Sequence, residues 1–285
     1  LEGLSSIAEL PHDSGAFSRQ AQVNSPLQRR FILRPGGREL PIGTGLYVHT
    51  PHPDAPSSAY YAVGVVLNGD LQPLEPAYVL QSPIQETNAP SEPVLIFESP
   101  DRRRRLYTHW MDDTRWNSAL EGLAYNFWIG SPESDPKAPL PLTLHLHAWG
   151  ESYLRSFQGS ADTGSPYGFK TIWLEPDDPS NTWWFGFADR LGPDGHPLPG
   201  AQVIPFTEQR LELLLAWLWS PASGYQVDRD RVYLYGGSMG GSGALSFGLR
   251  HPDWFAAIFA HIPMVNPGAS QWGRAGFQQL WGPLQ

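Results

Sequence analysis

The residues best spaced for chemistry lie in the run Val232-Tyr233-Leu234-Tyr235-Gly236-Gly237-Ser238-Met239-Gly240-Gly241-Ser242-Gly243-Ala244-Leu245. Gly236, Ser238 and Gly240 form a Gly-x-Ser-x-Gly pattern. A serine oxygen attacks well only when it projects clear of the backbone and its developing oxyanion meets preorganised amides. A strand turning sharply into a helix would place Ser238 at the tip of the bend. Glycines two residues to either side let the two backbones approach without Cβ clashes. The Met239 N–H would then sit at a helix N-terminus, where negative charge is favoured. The spacing therefore predicts Ser238 as a nucleophile and the Met239 amide as an oxyanion donor.

Other residue types permit other chemistry. His145 and His147 alternate along Leu144-His145-Leu146-His147, so a strand would put both on one face, as a two-histidine metal site requires. No acid or third histidine lies near them in the sequence, and no metal is expected. Trp183-Trp184-Phe185, with Trp149 and Trp173, offers aromatic faces for stacking on a sugar or phenolic ring. Core and lid packing explains the same residues equally well. Arg102-Arg103-Arg104-Arg105 is the one basic run, and at a composition boundary it reads as a solvated linker.

The elements that must hold these residues change character near residue 100. Before it come short strand-like runs between Pro/Gly clusters: 31–33, 46–48, 59–67, 77–80 and 94–97. Five or six such runs predict a small all-β sandwich. After residue 105 strands alternate with helices. Tyr125 to Ile129, Leu142 to Leu146 and Thr171 to Leu174 read as strands. Thr207 is placed to cap a helix in which Leu211, Leu214, Leu215 and Leu218 share one face. Val232 to Tyr235 reads as a strand buried on both faces, and the helix after the serine stops at His251-Pro252. The class expected is α/β. The predicted division is a sandwich over 1–98, a linker over 99–105 and an α/β domain over 106–285.

Two stretches resemble known families. Gly43-Thr44-Gly45-Leu46-Tyr47-Val48 and Ala59 to Val65 followed by Asn68-Gly69-Asp70 resemble a fibronectin type III module, serving as a spacer or as a ligand-binding module. More specifically, Asp228-Arg229-Asp230-Arg231-Val232-Tyr233, the run 236–241, and Arg250-His251-Pro252-Asp253-Trp254-Phe255-Ala256-Ala257 resemble the serine esterases of the α/β-hydrolase superfamily. The nearest branch is that of polyhydroxybutyrate depolymerases and feruloyl or acetylxylan esterases. The resemblance implies a Ser–acid–His triad, an acyl-enzyme, no cofactor, an ester substrate that is small or polymeric, and secretion. It also implies an oxyanion loop at His147-Ala148-Trp149-Gly150, with the Trp149 amide as second donor. Ala148 stands where that family has glycine. His147, Trp183 and Trp184 are the candidate substrate-binding residues.

The superfamily orders its triad Ser, acid, His. The 47 residues after Ser238 hold one acid, Asp253, and two histidines, His251 and His261. His251 and Asp253 belong to the helix stop, and no acid follows His261. The triad acid and histidine are therefore expected beyond Gln285, in a domain incomplete at its C-terminus. Two alternatives stay open: a prolyl-oligopeptidase-like peptidase, and a non-catalytic carbohydrate-binding or adhesion protein.

Composition narrows the classes. Of 285 residues 41% are hydrophobic and 16% charged, enough apolar material for a core. A net charge of −9 argues against a nucleic-acid partner. No apolar run of about 18 residues suits a membrane span. The absence of cysteine removes thiol catalysis and disulfides.

Overall fold

The computed structural model describes residues 32–38, 48–49, 51–52, 54–88, 91–111, 124–159, 170–192, 196–266, 269 and 271–282. The chain divides into two units, His49–Pro90 and the remainder.

The smaller unit holds two minimal antiparallel ladders. β1 (Ser58–Ala59) pairs with β4 (Ile84–Gln85), and β2 (Val66–Leu67) pairs with β3 (Asp70–Leu71). Asn68 and Gly69 at positive φ make the two-residue turn between β2 and β3. The long strand expected over 59–67 is broken in its middle, and Val63, Val65 and Leu67 are exposed. Among the described residues the two packed sheets of a sandwich are therefore not formed. The run 43–47 lies outside the described residues.

The larger unit is built on a seven-stranded mixed sheet. Its strands are β5 (Val94–Glu98), β6 (Arg104–Trp110), β7 (Ala124–Gly130), β8 (Leu140–Leu146), β9 (Ile172–Pro176), β12 (Val227–Gly237) and β13 (Ala257–His261). They lie in the order β13-β12-β8-β9-β7-β6-β5. Pairings from β13 through β9 are parallel, and those among β9, β7, β6 and β5 are antiparallel. The boundary drawn at 98 and the linker drawn over 99–105 are corrected by this sheet. β5 belongs to it, and Arg104 and Arg105 form part of β6. The arginine run is a hairpin turn clamped by acids, with Arg105 Nε 2.6 Å from Glu98 Oε2 and Arg103 Nε 3.0 Å from Asp101 Oδ2.

Alternation along the strands divides the core in two. On one face Phe127, Ile129, Leu142, Leu144, Leu146, Leu174, Val232 and Leu234 meet α2 (Phe206–Leu218) and α3 (Met239–Arg250). All four leucines predicted on α2 are buried there. On the other face Leu106, Trp128 and Trp173 meet Tyr153 and Phe157 of α1 (Tyr153–Gly159). The cap of α2 differs from expectation: Pro205 precedes the helix without a side-chain cap, and Thr207 lies inside it, bonded to Thr182. β12 is also buried on one face only, since Tyr233 and Tyr235 alternate outward from Val232 and Leu234. A two-stranded ladder of β10 (Phe187–Ala188) and β11 (Val203–Ile204), and the helix α4 (Gln271–Trp281), complete the unit.

Candidate active site

β12 ends and α3 begins at Ser238, whose backbone lies at φ 53°, ψ −117°. That conformation costs a non-glycine residue about 1–3 kcal/mol and persists only where its surroundings over-determine it. The bend is fixed from both sides. Ser238 N–H donates to the His261 carbonyl at 3.0 Å, and the Ser238 carbonyl accepts from Ser242 N–H at 2.9 Å. Ser242 Oγ–H donates to the same carbonyl at 3.2 Å and accepts from Met264 N–H at 2.7 Å. Ser238 is exposed and Met239 is fully buried. The Met239 amide opens α3, so no carbonyl one turn back takes its proton.

Gly240 explains why the bend needs glycine. A Cβ there would stand 1.9 Å from the Leu146 carbonyl oxygen, so α3 starts in direct contact with the end of β8. That contact brings the loop 147–150 to the elbow. Gly150, at φ 72°, carries the left-handed turn of the loop, so alanine at 148 is under no strain. Ala148 N–H donates to Glu151 Oε2 at 3.2 Å, and Gly150 N–H to Asn181 Oδ1 at 2.8 Å. The amide between them, that of Trp149, makes no hydrogen bond among the described residues. The Met239 amide thus adjoins the exposed serine, and the Trp149 amide lies in the loop that the Gly240 contact brings to the elbow.

His147 is placed in the interior, 1% exposed, and holds the loop from beneath. Its Nδ1–H donates to the Ala148 carbonyl (2.9 Å) and its Nε2 faces Asp178 N–H (2.9 Å) and Asp177 Oδ1 (3.4 Å). Burial lowers the imidazole pKa, but the hydrogen bond and charge of Asp177 outweigh it and raise the pKa overall. Asp178 in turn accepts from Thr182 N–H at 2.7 Å, and burial pushes its carboxyl up. Trp184 is fully buried and donates its Nε1–H to the His147 carbonyl at 3.0 Å. Trp183 is 7% exposed, with its ring between Trp149 and Phe277. Of the three candidate substrate-binding residues, His147 and Trp184 therefore sit in the core, and Trp183 lines a cleft.

The acids missed in the sequence come from across the sheet. His145 Nδ1 lies 3.0 Å from Glu175 Oε2, so His145 of β8 and His147 just past its end each face a carboxylate from the β9 side. The signal was faint: Glu175 lies near the end of the neighbouring strand and Asp177 and Asp178 just past it, and only topology brings them alongside. Among the described residues, three metal-ligating side chains converge elsewhere, at Glu208, Glu212 and His251. There both Glu208 oxygens accept from Arg250, so the cluster ties α2 to α3 as an ion pair.

No described residue hydrogen-bonds Ser238 Oγ. His261 is in register with Gly237, but its ring is exposed beside Phe259, and no described carboxylate pairs with it. His251 and Asp253 stand at the far end of α3, as the helix-stop reading expects.

A parallel strand, a strained serine and a glycine-packed helix, in a mixed sheet covered on both faces, decide the architecture. The fold is that of an α/β hydrolase. Residues 212–283 match the Esterase family model, described as "Putative esterase". Rat S-formylglutathione hydrolase is 36% identical over 63 residues, which is 22% of this chain and 22% of that protein. The enzyme of the same name from Paracoccus denitrificans is 33% identical over 60 residues, 21% of this chain and 22% of its own length. The alignments thus span about a fifth of these relatives. A solved S-formylglutathione hydrolase from Agrobacterium tumefaciens covers 66% of this chain and 68% of its own, at 17% identity and a TM-score of 0.44.

Proposed function

We propose that this chain carries the nucleophilic half of a serine carboxylic-ester hydrolase acting on polysaccharide-linked, phenolic or polyester esters. The observation that carries the reading is the exposed Ser238 held at φ 53° at the head of α3, next to the unclaimed Met239 amide. Ser238 Oγ attacks the ester carbonyl carbon, and the carbonyl π electrons move onto oxygen. The Met239 and Trp149 amides hold that oxyanion. Its collapse expels the alcohol and leaves an acyl-serine, which water hydrolyses. His147 and Asn181 position the loop and touch neither substrate nor reacting atoms. The base that takes the Ser238 proton is not among the described residues as they are placed.

The likeness to feruloyl and acetylxylan esterases read from 228–257 supports the substrate class. The test is a panel of short-chain, aryl and polymer-linked esters with the full-length gene product and its Ser238→Ala variant. Loss of about 10⁶ in kcat is the expected result for removing such a serine. Hydrolysis that survives the substitution would refute the assignment.

A further inference from the structure

Ile262 breaks two backbone rules at once. It is β-branched, for which a positive φ is an outlier, and it precedes Pro263, which favours an extended residue before it. Its φ is nevertheless 44°. Its side chain is largely exposed, at 68%, so packing of that side chain does not hold the conformation. Backbone of this kind persists only where its surroundings over-determine it, and such strain concentrates at functional sites.

What surrounds it is the elbow. Just before Ile262, the His261 carbonyl accepts from Ser238 N–H at 3.0 Å. Just after it, Met264 N–H donates to Ser242 Oγ at 2.7 Å, and Ser242 Oγ–H donates to the Ser238 carbonyl at 3.2 Å. The Met264 side chain packs against the core, so the turn is anchored at both ends. The first turn of α3 lies directly on it: a Cβ at Gly241 would stand 2.4 Å from the His261 carbonyl oxygen. The turn 261–264 therefore grips the N–H of Ser238 by its own backbone, and the carbonyl of Ser238 only through the Ser242 hydroxyl. The Ser242 N–H bond to the same carbonyl is the ordinary helical one, which any residue at 242 would make.

We propose that Ser242 is a positioning residue for the nucleophile: its hydroxyl ties the strained 261–264 turn to the Ser238 carbonyl and so holds Ser238 in its attacking conformation. The proposal rests on Ser238 being the nucleophile and deepens that reading by assigning what sets its geometry. Ser242 acts through the Ser238 backbone and not on the reacting atoms. Without the hydroxyl the Met264 N–H loses its acceptor and Ile262 relaxes out of the left-handed region. The His261 carbonyl that takes the Ser238 N–H then shifts with it.

The experiment measures kcat and KM for p-nitrophenyl butyrate, with urea melts alongside, in the full-length gene product. The variants are Ser242→Ala, Ser242→Thr, Ser242→Ala with Ile262→Gly, and Ser238→Ala. Ser242→Ala should lower kcat about tenfold or more with KM within about twofold, because a misplacement of about 1 Å costs up to about a hundredfold. Ser242→Thr keeps the hydroxyl and should recover most of that loss, since position 242 borders a cleft with room for a methyl group. Adding Ile262→Gly to the alanine variant removes the drive to relax, because glycine takes positive φ freely, and should recover about threefold in kcat. A Ser242→Ala variant that melts earlier yet keeps its kcat would make the hydroxyl purely structural and overturn the proposal. So would a threonine variant no better than alanine, or a glycine substitution that rescues nothing. Should Ser242→Ala fail to fold, Ser242→Cys keeps the shape and weakens both hydrogen bonds. It should lower kcat several-fold at constant KM, and an unchanged kcat overturns the proposal. Failure of the underlying reading shows separately, as ester hydrolysis that persists in Ser238→Ala.

Discussion

Replacing Gly240 by alanine tests whether the elbow is held by backbone contact. The added Cβ would lie 1.9 Å from the Leu146 carbonyl oxygen, 2.7 Å from its carbon and 2.8 Å from the His147 oxygen. Ordinary contact begins near 3.4 Å, so one backbone must retreat by about 1.5 Å. Leu146 is fully buried and belongs to a central strand flanked by β12 and β9, so no flexible side chain absorbs the shift. Overpacking of this kind costs about 1–3 kcal/mol, and a backbone clash belongs at the upper end. For a domain of this size about 3 kcal/mol lowers Tm by about 6–12 °C. Gly237→Ala is the internal control, because its Cβ would meet nothing closer than His261 Nδ1 at 3.9 Å. That variant should stay within about 0.5 kcal/mol of wild type. Thermal and urea melts of the two variants read the difference directly. If Gly240→Ala melts with Gly237→Ala, helix and strand do not meet as described, and the loop 147–150 is not held against Ser238.

Further outcomes follow from other named contacts. His109 is buried with Nε2–H donated to the Ser91 carbonyl at 2.8 Å, and burial lowers its pKa from 6.5 to about 4. The unfolded chain takes up this proton first, so stability should fall by about 3 kcal/mol as pH drops from 6.5 to 4 and level off below. His109→Gln, which keeps a donor but does not titrate, should flatten urea midpoints across that window; an unchanged slope would assign it to other groups. Arg250→Ala leaves the nearly buried Glu208 carboxylate without its two donors, so a loss of about 1–3 kcal/mol is expected in denaturant melts. Arg250→Lys should recover only part, because an ammonium cannot grip both oxygens; full recovery would argue against the bidentate pair. Asn181→Gly keeps the left-handed backbone and removes the acceptor of the Gly150 amide. In the full-length gene product it should lower kcat about tenfold with KM little changed; a rise in KM alone would make Asn181 a binding residue.

What could be read in advance was local. The elbow declared itself because its strand, its glycines and its helix occupy fewer than twenty consecutive residues. The leucine face of α2 was legible for the same reason. The partners of the loop were not, because Glu175, Asp177 and Asn181 reach β8 only through a crossover of some thirty residues. The front of the chain misled for a different reason. Alternation over 59–67 satisfies a strand pattern, but a strand exists only where a neighbour takes its hydrogen bonds. Val94 to Glu98 found that neighbour in Arg104 to Trp110, and so joined the large sheet across the predicted boundary. The arginines likewise read as a solvated run until Glu98 and Asp101 faced them. Trp183 and Trp184 are adjacent and identical in type, yet one lines a cleft and the other anchors His147. Composition cannot separate them; their successive positive φ angles do.

The most direct measurement is covalent: exposure of the full-length gene product to a fluorophosphonate, followed by peptide mass spectrometry. One adduct on Ser238, absent from Ser238→Ala, is the outcome this account predicts. An adduct on a different residue, or ester hydrolysis that proceeds while Ser238 stays unmodified, would contradict it.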